Sequence, residues 1–268
     1  MIGRITTLLY GVFCYLVFFA TFLYAIAFLG DFGVPRTIDS GVEGSIGRAL
    51  AINAGLLALF ALQHSIMARS WFKRAWTRIV PPAAERSTYV LFSSVALILL
   101  FWQWRPIGGL VWQVNNELGR MAIYAVYAVG WLLLLLATFL INHFDLFGLR
   151  QAYLHFRGRE YTGLSFRTPG LYRLMRHPIY FSWLCIFWAT PRMTIAHLVF
   201  ALATTGYILM AIQFEERDLI RAYGDAYRRY KQQVPSILPV RFGREAGGNQ
   251  VTGLNANAGV QTVEYLGK

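Results

Sequence analysis

The residues best suited to chemistry in this 268-residue chain are an Arg-His-Pro triplet that opens one apolar run and a glutamate pair that closes the next. The triplet lies in Gly170-Leu171-Tyr172-Arg173-Leu174-Met175-Arg176-His177-Pro178-Ile179-Tyr180. Proline suits the first turn of a helix, where its missing N–H needs no partner. Arg176 and His177 then fall at a helix N-terminus, where the macrodipole favours an anion such as a carboxylate. Taken alone, the triplet reads first as an interfacial anchor and a helix start. Glu215 and Glu216, in Gln213-Phe214-Glu215-Glu216-Arg217-Asp218-Leu219, are costly to crowd where an apolar run ends. At least one of them needs a cationic or hydroxyl partner, and a carboxylate here can accept from hydroxyls or from an ammonium. The plainer reading is a solvated helix start. Two further polar clusters close earlier apolar runs: Leu62-Gln63-His64-Ser65-Ile66-Met67-Ala68-Arg69 and Asn142-His143-Phe144-Asp145-Leu146-Phe147-Gly148-Leu149-Arg150-Gln151. In their plainer readings His64 bonds between helices, Asp145 caps a helix and Asn142 ends one.

The elements that must position these groups follow from composition. Hydrophobic residues make up 56% of the chain and charged residues only 14%. A soluble domain carries nearer ~25% charge. The deficit lies in long apolar runs, which predicts bilayer-spanning helices. Spans are expected at Ile5 to Leu29, Ala49 to Met67, Tyr89 to Trp104 and Met121 to Ile141. Between the second and third, Arg69, Lys73, Arg74, Arg78 and Arg86 interleave with Trp71, Phe72 and Trp76, as in an interfacial segment. Pro178 to Thr190 and Thr194 to Phe214 read as the arms of a helical hairpin with its tip near Pro191. The pair is too long for one ordinary crossing. A separate helix leaving the membrane is expected from Gln213. The fold class is thus an all-α polytopic transmembrane helix bundle, four spans plus a C-terminal helical hairpin.

The net charge is +12, but the cations sit between apolar runs, which fits the positive-inside rule and speaks against nucleic-acid binding. The loops after spans one and three carry Arg36 and Arg105, whereas those after spans two and four are rich in cations. The N-terminus, the Arg69–Arg86 segment, the Asn142–Arg176 segment and the C-terminus should therefore face the cytosol, the membrane being a bacterial inner membrane. His177 and Glu215 then end on one face, at the hairpin's open end. The two cysteines, Cys14 and Cys185, lie inside apolar runs and make neither a disulfide framework nor a metal site.

Arg-His-Pro-x-Tyr, an apolar hairpin, Glu-Glu-Arg-x-Leu and then Tyr223-Gly224-Asp225-Ala226-Tyr227-Arg228-Arg229-Tyr230 together resemble the C-terminal half of the isoprenylcysteine carboxyl methyltransferase superfamily. The likeness covers roughly Thr168 to Val234. One departure is Ser182, where the family often has glycine. The Leu62–Arg69 and Asn142–Gln151 stretches resemble the bacterial methanethiol S-methyltransferases, which make dimethyl sulfide. The resemblance implies a helix bundle whose cytosolic end encloses S-adenosyl-L-methionine, lined by Tyr172, Arg176, His177, Pro178, Tyr180, Glu215 and Glu216. It implies a membrane methyltransferase domain over 1–240, with 168–234 as its cofactor-binding half; the remaining stretch, 241–268, is rich in Gly, Asn and Ala without periodicity and is expected to be a weakly ordered tail. The bilayer and methanethiol would be its partners, with no nucleic acid, no metal and no obligate protein partner.

Methyl transfer from a sulfonium asks for a thiolate held in line at ~3–3.5 Å with water excluded. An alkyl thiol is a weak acid, so a base helps. His143, Asp145 and His64 are the candidate catalytic residues, and Asn142, Phe144 and Phe147 the candidate substrate contacts. Other readings remain open at this point: a prenylated-cysteine or lipid acceptor, a sterol-reductase-like enzyme using NADPH, and a small transporter with a polar pathway of His and Glu.

Overall fold

Inside hydrocarbon a backbone has no water to satisfy its N–H and C=O groups, so an apolar run must close its own hydrogen bonds as a helix. The computed structural model, which describes residues 1–41 and 44–239, obeys this along its length. Its helices are α1 (Ile2–Gly30), α2 (Ile46–Met67), α3 (Ser70–Trp76), α4 (Pro82–Gln103), α5 (Glu117–Ile141), α6 (His143–Leu146), α7 (Leu149–Phe156), α8 (Pro178–Trp188), α9 (Ile195–Tyr223) and α10 (Asp225–Gln233). A single 3-10 turn, Gly170–Arg173, precedes α8, and two short strands, β1 (Leu110–Gln113) and β2 (Arg192–Thr194), pair antiparallel. α1, α2, α4, α5 and α9 are each long and apolar enough to cross a membrane. The expected four spans and hairpin are present, α8 and α9 being the hairpin's arms and β2 part of its tip. The expected tail over 241–268 lies outside the described residues.

The surface confirms the solvent. α5 turns Val129, Leu132, Leu136 and Phe139 outward, an exposed apolar row that only lipid tolerates. The interior is closed by Phe28, Leu100, Trp104, Trp131, Ile186 and Phe200. α4 packs against both α1 and α2, and α8 lies along α5. Ser182, buried in that α5–α8 seam, donates to the Pro178 carbonyl at 2.8 Å.

Two helix limits differ from the sequence expectation. α4 starts at Pro82, seven residues ahead of the apolar text, because proline at its first turn pre-sets the helical φ. Arg86 therefore rides on α4 and only α3 remains as the interfacial segment. No separate helix begins at Gln213. α9 runs unbroken for 29 residues, since Glu, Arg, Asp and Leu continue a helix without proline. It stops at Gly224, whose φ of 55° is one that L side chains rarely adopt.

The end that holds the hairpin tip is capped by the strand pair and by a polar knot. Asn53 clasps the backbone of Arg105 in both directions, at 2.8 and 2.9 Å. Asp39 accepts from Thr194. Burial pushes the Asp39 carboxyl up to about 6, against the Thr194 hydrogen bond, with Asp31 raising it and Arg192 lowering it further. A carboxyl whose folded pKa is raised favours folding in its protonated form. That contribution is full below about pH 3.8 and is lost as pH rises through about 6. Asp39→Asn is accordingly expected to flatten the stability–pH curve across this window and to raise the melting temperature at neutral pH by a few degrees. Melting curves in detergent across the window check this, and an unchanged slope would contradict it.

Candidate functional site

Helix geometry brings the Arg-His-Pro triplet and the glutamate pair together at the opposite end of the bundle. Pro178 occupies the first turn of α8, with His177 as its N-cap residue. The hairpin returns along α9 and delivers Glu215 and Glu216 beside them. His177 Nδ1 lies 3.8 Å from Glu215 and its Nε2 3.1 Å from Glu216. The expectation that His177 and Glu215 share a face therefore holds.

The two glutamates differ in surroundings. The Glu216 side chain is 6% exposed and receives Arg176 Nε at 2.8 Å, His177 Nε2 at 3.1 Å and Lys231 Nζ at 2.6 Å. Burying a carboxylate is costly unless it is paired and hydrogen-bonded, and here it is paired on several sides. The Glu215 side chain is 44% exposed and lies next to the Tyr180 hydroxyl. Tyr172 is also near: burial first, then the Glu215 charge, pushes its phenol far above the ordinary range.

Arg176 does more than meet Glu216. Its Nη1 donates to the Lys231 and Val234 carbonyls. Its own backbone N–H bonds Pro235, and that of His177 bonds Ser236, at 2.9 and 3.0 Å. These bonds lace the segment after α10 onto the start of α8. Tyr230 completes the seam by donating to the Tyr172 carbonyl at 2.6 Å. The Tyr227 side chain is buried in the same place, within electrostatic reach of Glu216 and Arg176, and its hydroxyl has no hydrogen-bond partner among the described residues.

The Asn142–Gln151 stretch folds as α6 and the start of α7. Asn142 accepts from the Asp145 N–H and so caps α6. Gly148, at φ 87°, lets this turn press on α4: an added Cβ would stand 2.6 Å from the Ser87 nitrogen. Arg86 Nε reaches across to the Leu146 carbonyl at 2.9 Å. Asp145 is held by Arg150 at 2.8 Å and by the Tyr161 hydroxyl at 3.2 Å. His143 is buried, with Tyr15 on Nε2 and Thr138 on Nδ1, both at 2.9 Å. Thr138 donates its hydrogen to the Leu135 carbonyl, so it accepts from Nδ1–H. Nε2 is left to accept from Tyr15, and burial holds the ring below the usual histidine range. Phe139, Phe144 and Phe147 box the imidazole.

His64 stands apart from that box, on α2 facing α4. The Tyr89 hydroxyl lies 2.8 Å from its Nε2 and Ser93 Oγ 3.2 Å from its Nδ1. Phe147 links the two regions by packing against the cluster of Met67, Tyr89 and Val90. The structure thus gathers Tyr172, Arg176, His177, Pro178, Tyr180, Glu215 and Glu216 at one end. It sets His143 in an aromatic box with Phe144 and Phe147, uses Asn142 to cap the adjoining turn, and pairs Asp145 with Arg150 and Tyr161. Sequence reasoning had no means of finding Lys231, Tyr15 or Tyr89, whose roles come from partners far along the chain, and it missed Thr138, whose partner His143 lies beyond the end of α5.

In sequence the chain is similar to the methanethiol S-methyltransferase of Crocosphaera subtropica, 54% identical over 89% of this chain and 93% of the relative. It is equally similar to that of Mycobacterium tuberculosis, 54% identical over 88% of this chain and 97% of the relative. Nurim of Xenopus laevis is 28% identical over 89% of this chain and 88% of that protein. No family model matches the chain, and no solved structure matches it.

Proposed function

The chain belongs to the methanethiol S-methyltransferase family, and on that premise we propose that it is a membrane-embedded, S-adenosylmethionine-dependent enzyme that methylates methanethiol sulfur to give dimethyl sulfide. The observation that carries the cofactor reading is the split of the glutamate pair. Glu216 is consumed by its cations, whereas Glu215 keeps an exposed carboxylate beside Tyr180. That carboxylate suits ribose hydroxyls or the ammonium of the methionine part. The unpartnered Tyr227 hydroxyl offers a further polar contact, and the α8 N-terminus offers N–H groups to the cofactor's carboxylate. The residues present therefore fit such a group.

Bound there, S-adenosylmethionine supplies an electrophilic methyl group on a positively charged sulfur. The protein's own tasks are to orient that group, exclude water and remove the thiol proton. In this reading Arg176, His177 and Glu216 hold the pocket's shape while Glu215, Tyr172 and Tyr180 face the ligand. Asp145 keeps the α6–α7 turn in place through Arg150. In this reading the cation-rich end, with Arg69, Lys73 and Arg74 near it, faces the cytosol of a bacterial inner membrane, as does the N-terminus.

Equilibrium binding to purified protein in detergent tests the cofactor. S-adenosylmethionine is expected to bind and NADPH is not. Binding of NADPH in place of S-adenosylmethionine would remove the reading.

A further inference from the structure

The polar group on α2 and α4 gives the departing thiol proton a defined route. Ser93 donates its hydrogen to the Tyr89 carbonyl at 3.0 Å. Its oxygen is therefore free to accept from His64 Nδ1–H, at 3.2 Å, in the tautomer that leaves the basic lone pair on Nε2. The Tyr89 hydroxyl stands 2.8 Å from that nitrogen and 3.0 Å from Nδ1, so Nε2 is the nearer of the two. Tyr207 on α9, bonded to Ser65 of α2 at 3.0 Å, is in electrostatic reach of Tyr89. Tyr180 on α8 is in reach of both, and its hydroxyl neighbours Glu215. Hydrogen bonds thus join side chains of α2, α4 and α9 here, with Tyr180 of α8 in electrostatic reach of them and of Glu215. Among the described residues the Tyr15–His143 pair meets this cluster through apolar rings: its ring neighbours are Phe18, Phe139, Phe144 and Phe147, and Phe18 and Phe147 pack against Tyr89 and its neighbours.

We propose that Tyr89 and His64 form a proton relay for the acceptor thiol, seated between α2, α4, α8 and α9. This rests on the methyltransferase reading above and adds the acceptor's site. The thiol S–H breaks and its proton passes to the Tyr89 oxygen. Tyr89 passes its own proton to His64 Nε2, so it stays neutral while His64 becomes imidazolium. The thiolate's electron pair forms the new carbon–sulfur bond, and the old sulfonium–methyl bond gives its pair to the departing sulfur. The imidazolium releases its proton to solvent after turnover. The charged groups facing this cluster are Arg86 and Glu85 of α4, Arg69 at the N-cap of α3 and Glu215 of α9, with Lys73 of α3 near Arg86.

The test uses full-length protein in detergent, with His64→Gln and Tyr89→Phe measured against pH. Methanethiol is compared with the more acidic 2,2,2-trifluoroethanethiol, and cofactor affinity is measured in parallel. At neutral pH His64→Gln is expected to lose about 100-fold in methanethiol turnover and Tyr89→Phe about 10-fold, with cofactor affinity within about twofold. Both deficits should shrink as pH rises and with the acidic thiol, because a thiol already ionised needs no proton acceptor. Should His64→Gln lose cofactor binding through misfolding, Tyr89→Phe, which removes one oxygen, carries the test. Wild-type turnover in both variants, or deficits equal at every pH and for both thiols, would overturn the relay. The same pH signature in His143→Gln and Tyr15→Phe in its place would overturn it too. A wild-type protein that did not methylate methanethiol would instead remove the parent reading, and the relay with it.

Discussion

Glu216→Ala is expected to reduce cofactor affinity by at least about 100-fold, roughly 2.7 kcal/mol, and to free the chain after α10 from the start of α8. The carboxylate is the common partner of Arg176, His177 and Lys231. Arg176 is itself only 9% exposed, so removing its counter-charge leaves a buried cation unpaired. Breaking a buried pair from one side costs about 3–5 kcal/mol. The same guanidinium ties down Lys231 and Val234, so the damage spreads from the ion cluster into the seam. Hydrogen exchange over residues 224–236 should rise sharply, while the spans α1, α2, α4 and α5 keep their protection. Unchanged exchange there would show that the cluster does not hold the seam.

Glu215→Ala is expected to separate binding from folding. Its side chain is nearly half in solvent, and the His177 ring beside it is 3.8 Å away, longer than a hydrogen bond. Hydrogen bonds to a charged group are worth about 1.5–3 kcal/mol, so cofactor affinity should fall about 10- to 100-fold. Hydrogen exchange and melting temperature should stay at wild-type values. His177→Ala, by contrast, should weaken both, because this ring is buried against Glu216. Equal losses of stability in the Glu215 and Glu216 variants would contradict the division of labour between the two neighbours.

What was legible in the sequence was what the bilayer and the chain's periodicity impose. Runs of apolar residues must be helices, and an even number of crossings between His177 and Glu215 must return them to one face. The limits of those helices were less legible where polar residues continue a helix. Glu85, Arg86 and Ser87 hide the start of α4, and Glu215 to Arg221 disguise the last turns of α9. The motif residues were found, but their duties were not. Arg176 carries the same charge whether it meets a ligand or a backbone carbonyl, and only the fold places Val234 and Pro235 against it. The partners Tyr15 for His143, Ser93 for His64 and Arg150 for Asp145 sit on other helices or turns. No spacing rule within one helix reports them.

The most direct measurement follows the methyl group itself. Purified full-length protein in detergent is given methanethiol and S-adenosylmethionine bearing a trideuterated methyl group, and the headspace is read by mass spectrometry. The predicted product is dimethyl sulfide carrying one deuterated and one ordinary methyl. No labelled dimethyl sulfide, or faster methylation of a farnesylated peptide than of methanethiol, would contradict the account.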